Sequence, residues 1–276
     1  MLRAVSPARE TPSESFASDP ADVGDPDQGS EIASAREYDE ATKAVRLSEL
    51  FSAVVGHDLR NPLASIMASA QLMLVRGANP ADQAPLLRIL SSTERMARMI
   101  DQLLDVTRIR AGGGIPCDPM PMDLAEIADE VIAELRSAHP AREITFEAHG
   151  SLAGTWDSDR LAQLLSNLVS NAVQHGSPDS AVRVCADGTR GDWVALCVSN
   201  AGAIPTALVS SLFEPFRGSE HKREHASGLG LGLYIAKQIA LVHGGLIDVV
   251  TADPQRTTFT VTLPRVSMKG SEDGHG

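Results

Sequence analysis

The chain has 276 residues, 43% of them hydrophobic and 22% charged, enough to bury a core in one large domain or two ordinary ones and unlike a collagen-type or wholly disordered chain. Aromatic residues make up only 4%, so any core must be mostly aliphatic. A net charge of −12 argues against general binding to nucleic acid or to an anionic membrane, whose phosphates it would repel.

Residues 1–37 are rich in Pro, Ser, Asp and Ala and hold much of the acid: the first forty residues carry ten Asp and Glu against three Arg. They cannot bury enough apolar surface to offset ordering entropy, so an acidic disordered tail is expected, with a docking segment for a separate sensor protein as the alternative. No stretch reaches the roughly 18 apolar residues of a membrane span. The N-terminal MLRAVSPARETPSES lacks the apolar centre of a secretory signal. Cys117, Cys185 and Cys197 have no metal-ligand spacing and read as reduced thiols, with redox sensing at Cys117 as a minor alternative. A cytoplasmic protein with no membrane partner is expected.

From Tyr38 to Arg76 the pattern is helical, with Leu59, Leu63, Ile66, Ala70 and Met73 at 4-3-4-3 spacing. A turn at Gly77–Asp82 separates it from a second helix of about Asp82–Arg110, where Leu86, Leu90, Thr93, Ala97, Ile100, Leu104 and Thr107 repeat in the same way. Residues 38–111 therefore read as an antiparallel helical hairpin. A single hairpin cannot cover both stripes, but two related by a twofold axis can, which predicts a homodimeric four-helix bundle. Residues 112–120 read as a Gly- and Pro-rich linker that lets the next domain swing.

Residues 121–266 have a different texture. Helices are predicted at Asp123–Ala138, Asp157–His175 and Leu229–Val242, and strands at Glu143–His149, Ala181–Ala186, Trp193–Ser199, Leu246–Thr251 and Thr258–Leu263. Leu161, Leu164, Leu165, Leu168, Val169 and Ala172 form the buried side of the second helix. Runs of strands with helices on one side indicate an α+β fold, a two-layer α/β sandwich. Residues 267–276 read as a flexible tail.

Four segments carry chemistry. His57 stands in His-Asp-Leu-Arg-Asn-Pro-Leu63, with Asn61 one turn on and Asp58 beside it. A neutral imidazole is a nucleophile when one nitrogen is free and an acceptor holds the other N–H. Asp58 is a candidate for that acceptor, and Pro62 should kink the helix just after the histidine. This run resembles the dimerisation and phosphoacceptor region of bacterial two-component sensor histidine kinases. That likeness implies that His57 accepts a phosphoryl group and that Asn61 orients water for the reverse, phosphatase reaction.

The second segment runs from Asp159 to Gly176, with Asn167 and Asn171 four residues apart on one helix face. Neutral amides suit a place that holds Mg²⁺ and phosphates without adding negative charge. The segment looks like the N box of the same kinases, which implies that Asn171 binds Mg²⁺. Gln174-His175 stands where a basic residue and an aromatic are more usual there.

The third segment, Val198-Ser-Asn-Ala-Gly-Ala-Ile-Pro205, resembles the first glycine box. Asn200 replaces the usual aspartate that accepts from the adenine amine, and Gly202 is retained. An amide oxygen still accepts that bond, without charge assistance. The fourth segment joins Leu212-Phe-Glu-Pro-Phe216-Arg217-Gly to a polar loop over 217–227 and then to Gly228-Leu229-Gly230-Leu231-Gly232. It resembles the F box, ATP lid and second glycine box; bare backbone opening a helix lets phosphate oxygens approach its N–H groups. Lid cations are expected at Arg217, Lys222 and Arg223.

Taken together over residues 45–265, the resemblance implies an ATP-dependent, Mg²⁺-requiring kinase that phosphorylates His57 and passes the group to an aspartate on a response-regulator receiver domain. Two rivals carry weight. A gyrase- or chaperone-type ATPase is disfavoured because its water-activating Glu would stand at Asn167. A degenerate kinase serving only as a phosphotransfer or docking module is kept open by the altered first glycine box.

Overall fold

The computed structural model describes residues 58–216, 229–253 and 255–266, all within one compact unit, Lys43–Gly276. His57, Arg217, Gly228, the rest of the expected lid and both expected tails lie outside the described residues.

Helix α1 covers residues 58–75 and α2 covers Pro80–Arg110. The second helix starts two residues earlier than its apolar pattern suggests. Proline is favoured at the first helical position, where its missing N–H costs nothing, so the helix starts at Pro80, before its apolar pattern does. The hairpin buries only part of each expected stripe. Leu63, Ala70, Leu86, Thr93 and Leu104 are buried, while Leu59, Ile66 and Met73 of α1 stay open. On α2 the open residues Ile89, Met96 and Leu103 lie outside the expected stripe, whose own members are buried or half-buried. Each open series repeats every seven residues, the spacing of a supercoiled seam rather than of a lone hairpin.

The remaining residues form the two-layer sandwich. A five-stranded sheet has the order β2-β4-β5-β7-β6, with β2 Ile144–Gly150, β4 Val182–Gly188, β5 Trp193–Ala201, β6 Leu246–Asp253 and β7 Arg256–Pro264. The β2–β4 pair is parallel and the others are antiparallel. Helices α3 Leu124–Ala138, α4 Ser158–His175 and α6 Gly232–Val242 cover one face. Strict in–out alternation on β4, β5 and β7 puts Val184, Ala186, Leu196, Val198, Phe259 and Val261 into the core. On α4 the buried set is Leu161, Leu164, Leu165, Leu168, Val169 and Ala172, as the apolar spacing indicated.

Three differences from the sequence reading have physical causes. A small antiparallel sheet pairs β1 Met120–Asp123 with β3 Ala153–Trp156. Four-residue strands containing Pro or Gly give no periodic signal. A single helical turn, α5 Thr206–Val209, was also hidden by its shortness. Helix α6 begins at Gly232 rather than Leu229, because Gly230 has φ +69°, a left-handed conformation that a helix cannot continue through.

The linker is less free than its composition suggests. Gly112 closes α2 in the left-handed region: its N–H reaches the Ile109 carbonyl and the Gly113 N–H reaches that of Arg108. From there the chain is tied down. Ile115 is buried in the core, the Pro116 carbonyl accepts from Arg160 Nε at 3.1 Å, and the Asp118 N–H donates to Asp157 Oδ2 at 2.9 Å. Only residues 112–114 keep the character of a hinge.

Candidate functional site

Helix α4 is the spine of the site. Asp157 caps it, its carboxylate accepting from the Arg160 N–H at 3.0 Å. The leucine stripe fixes the helix against the sheet, so Asn167 and Asn171 take the opposite, half-buried side. Asn167 faces the start of α6: a Cβ on Gly232 would stand 3.5 Å from Asn167 Oδ1. At the far end, two turns and about 12 Å further along the axis, a Cβ on Gly202 would stand 3.6 Å from the His175 carbonyl. The fold thus brings the second and third predicted segments and the described part of the fourth to one side of α4.

Each end is built differently. At the Gly202 end, Asn200 is buried and its Nδ2 donates to the Ala201 carbonyl at 3.0 Å. That bond uses one of the amide's two N–H groups inside the chain. Gly202 is pinned to β7 and the turn before it, its N–H donating to Gln255 and its carbonyl accepting from Thr257 Oγ1, both at 2.8 Å. The Ser177 N–H closes the loop onto the Ala201 carbonyl at 2.9 Å.

At the Gly232 end, the first turn of α6 takes no hydrogen bond from the side chain of its cap residue Leu231. Its N–H groups and positive helix end suit an anion. Leu231 itself is buried in the core, so only its backbone can serve a ligand, while Leu229 and Gly230 are half-buried. The Gly230 carbonyl accepts from the Phe216 N–H at 3.1 Å. Phe216 has φ +68°, the one non-glycine left-handed residue among those described. Arg110, in the last turn of α2, lies over the Phe216 ring at 5.6 Å. Phe213 is anchored instead, edge-on to buried Phe259, with Lys237 over its ring.

Asn167 supplies the test of fit. Its Nδ2 is buried and has no hydrogen-bond partner among the described residues. A buried donor left unmade costs about 1–3 kcal/mol and calls for an explanation, of which a bound ligand is one; Arg142 Nε and Nη2 are the other such atoms among the described residues. A phosphate oxygen, an acceptor, answers that need. The neutral Asn167 and Asn171 amides therefore fit a nucleotide and its divalent cation, with Asn171 on the same helix face one turn on.

Asp58 and Asn61, one and four residues after His57 in sequence, are exposed at the described start of α1. Arg60 reaches across the hairpin to Asp101 of α2, Nε to Oδ1 2.9 Å. The helical residues run unbroken through Pro62.

Two groups escaped the sequence reading. Asp105, at the end of α2, is a buried carboxylate that accepts from Gln163 Nε2 at 2.8 Å and from Arg160 Nη1 at 3.3 Å. It clasps the hairpin to α4, and a charged residue within the apolar repeat was the only sign. His243 is fully buried at the end of α6. Its Nδ1 lies 2.8 Å from the Ile239 carbonyl and its Nε2 accepts from the Asp157 N–H at 3.0 Å, which fixes a neutral ring. Burial pushes its pKa below the ordinary histidine value, against smaller upward pulls from Ile239 and Asp157.

Comparisons with known proteins agree with this arrangement. Residues 47–112 match the family model of the His Kinase A (phospho-acceptor) domain, and residues 156–267 match the histidine kinase-, DNA gyrase B- and HSP90-like ATPase. A bacteriophytochrome of Pseudomonas aeruginosa is 36% identical over 226 residues, 81% of this chain and 30% of that protein. The probable sensor histidine kinase TcrY of Mycobacterium tuberculosis is 31% identical over 217 residues, 78% of this chain and 45% of that protein. The crystal structure of full-length ShkA in complex with AMPPNP shares the fold, with a TM-score of 0.60 at 24% identity over 77% of this chain and 45% of that one. This chain thus spans less than half the length of each of these relatives. With a phosphoacceptor-type hairpin followed by an ATPase-type sandwich whose motifs converge on one face of α4, the chain belongs to the two-component sensor histidine kinases.

Proposed function

We propose that this chain binds ATP with Mg²⁺ along α4, transfers the γ-phosphoryl group to His57 of a hairpin dimer, and passes it to an aspartate on a response-regulator receiver domain. The observation that carries the reading is the orphaned Asn167 amide facing the start of α6. It asks for an oxygen ligand where the family places phosphates.

In this reading Asn200 Oδ1 accepts from the adenine amine while Gly202 leaves room for the base. The first turn of α6 and the glycines before it hold the phosphates through backbone N–H groups. Mg²⁺, held by Asn171, would neutralise charge on the phosphate oxygens. Phosphoryl transfer asks the protein for position and charge rather than covalent help, so the work of the chain is alignment. Asp58 takes the imidazole proton or holds the opposite ring nitrogen, and Asn61 orients water for dephosphorylation. The open series Leu59–Ile66–Met73 and Ile89–Met96–Leu103 pack against a second copy, completing a four-helix bundle.

The test is phosphotransfer itself. The full chain is charged with γ-labelled ATP and Mg²⁺, freed of nucleotide and mixed with candidate receiver domains. Label should leave the chain and reach a receiver aspartate. A chain that never takes up label contradicts the reading, and so does one whose label reaches water alone with every receiver.

A further inference from the structure

The face of the sheet turned away from the helices carries a feature the nucleotide site does not use. Cys185 on β4 and Cys197 on β5 stand directly opposite each other in an antiparallel pair. Both are half-buried and free. Their immediate neighbours in each strand, Val184, Ala186, Leu196 and Val198, point into the core, so both thiols lie on the outer face. Across that face they form one row with Glu147, Thr260 and Asp248.

Directly opposed residues in an antiparallel pair have Cα atoms about 4.5–5.5 Å apart, inside the ~4.4–6.8 Å that a disulfide tolerates. Cys197 Sγ now lies 3.6 Å from Thr260 Oγ1, on the β7 side. One rotation about χ1 turns it toward β4 without moving the backbone. Cys117 is far along the chain in the linker, with its Sγ 3.5 Å from His243 Nε2, and belongs to neither strand.

We infer that Cys185 and Cys197 form a dithiol that exchanges with low-molecular-weight disulfides, such as oxidised glutathione, to close a cross-strand bond between β4 and β5. The Cys197 thiolate attacks one sulfur of the small disulfide, forming a mixed disulfide and releasing one small thiol. The Cys185 thiolate then attacks the Cys197 sulfur and releases the second. The chain gives up two protons and two electrons, and the small disulfide becomes two thiols. Burial, Cys197 itself, and the carboxylates of Glu147 and Asp187 hold the Cys185 thiol above its ordinary range, which suits it to the second step rather than the first.

The experiment uses the full reduced chain and oxidised glutathione, followed by alkylation, peptide mapping and a non-reducing gel. Two of the three thiols should become unreactive to alkylation, with no glutathione retained on them. The map should show the Cys185 and Cys197 peptides joined within one chain, and dithiothreitol should restore both. Cys185→Ser should instead trap glutathione on Cys197, and Cys117→Ser should change nothing. Glutathione retained on the native pair, full alkylation of both thiols, a bond to Cys117, or a crosslink between chains would each overturn the inference. The native-chain map decides the matter even if a variant folds poorly.

Discussion

At the scale of single residues, the Asn167 amide is the group that the proposed nucleotide site would satisfy. Asn167 Nδ2 is buried and unbonded, and its Oδ1 stands 3.5 Å from where a Cβ on Gly232 would sit. Removing an unsatisfied donor relieves its desolvation cost, about 1–3 kcal/mol. Asn167→Ala should therefore raise, or at least not lower, the melting temperature of the nucleotide-free chain while weakening ATP binding about tenfold or more, roughly 1.4 kcal/mol. Calorimetric melting paired with an ATP titration checks this; a fall in both stability and affinity would assign Asn167 to structure instead. Phe216 gives a second case. Its left-handed backbone is held by the Gly230 carbonyl and the Arg110 guanidinium. Left-handed strain of about 1–3 kcal/mol persists where its surroundings over-determine it. Phe216→Gly should relieve that strain yet remove the ring that ties the residue before the lid to Arg110 of α2, read as a higher melting temperature with slower phosphorylation.

At the scale of elements, the connection between hairpin and sandwich is a clasp. Arg160 alone binds Asp105 of α2 and the Pro116 carbonyl of the linker, and Asp105 is buried with Gln163 as its second donor. Removing one partner of a buried pair strands the other. Asp105→Ala should speed amide exchange through the last turn of α2 and residues 112–118 while leaving the central strands protected. Unchanged exchange there would mean the clasp holds nothing. His243 ties the same region together by bridging the end of α6 to the cap of α4. Its folded pKa is depressed, so the unfolded chain takes up a proton first as pH falls. Stability from this group is complete above the unfolded value of about 6.5 and is lost progressively below it, down to the folded pKa. The melting temperature should drop as pH falls below about 6.5, and less so in His243→Gln.

These elements also mark what the sequence could and could not tell. The α4 stripe was legible because six apolar positions at helical spacing admit one buried face. Strands β4, β5 and β7 were legible from alternation, though each runs one to three residues further, because pairing extends past the apolar residues. Strands β1 and β3 were not, since each is stabilised by its partner rather than by its own pattern. The glycines of the linker spoke for residues 112–114 alone; the anchoring of Ile115, Pro116 and Asp118 depends on Arg160 and Asp157, some forty residues away in sequence. Asn167, Asn171, Asn200 and Gly202 stood out as candidates because a cradle of amides and bare backbone is written in residue type; the fold sets Asn167 and Asn171 on one helix, with Gly202 beside its last turn. His243 was not, because nothing in sequence distinguishes a buried, satisfied histidine from a solvated one.

At the scale of the whole molecule, the open apolar series on the hairpin are the surface that the proposed dimer would cover. Three residues at heptad spacing on each helix match a second hairpin better than solvent does. The chain should sediment as a dimer, and Ile66→Arg should yield monomers whose sandwich still binds ATP. A wild-type monomer at micromolar concentration would remove the bundle from the account. The account as a whole rests on one transfer, from ATP held along α4 to the imidazole of His57. Its most direct measurement is incubation of the full chain with γ-labelled ATP and Mg²⁺, with and without His57→Gln, followed by acid and alkali treatment. The account predicts label that acid removes and alkali spares, and none on the variant; label persisting on His57→Gln would contradict it.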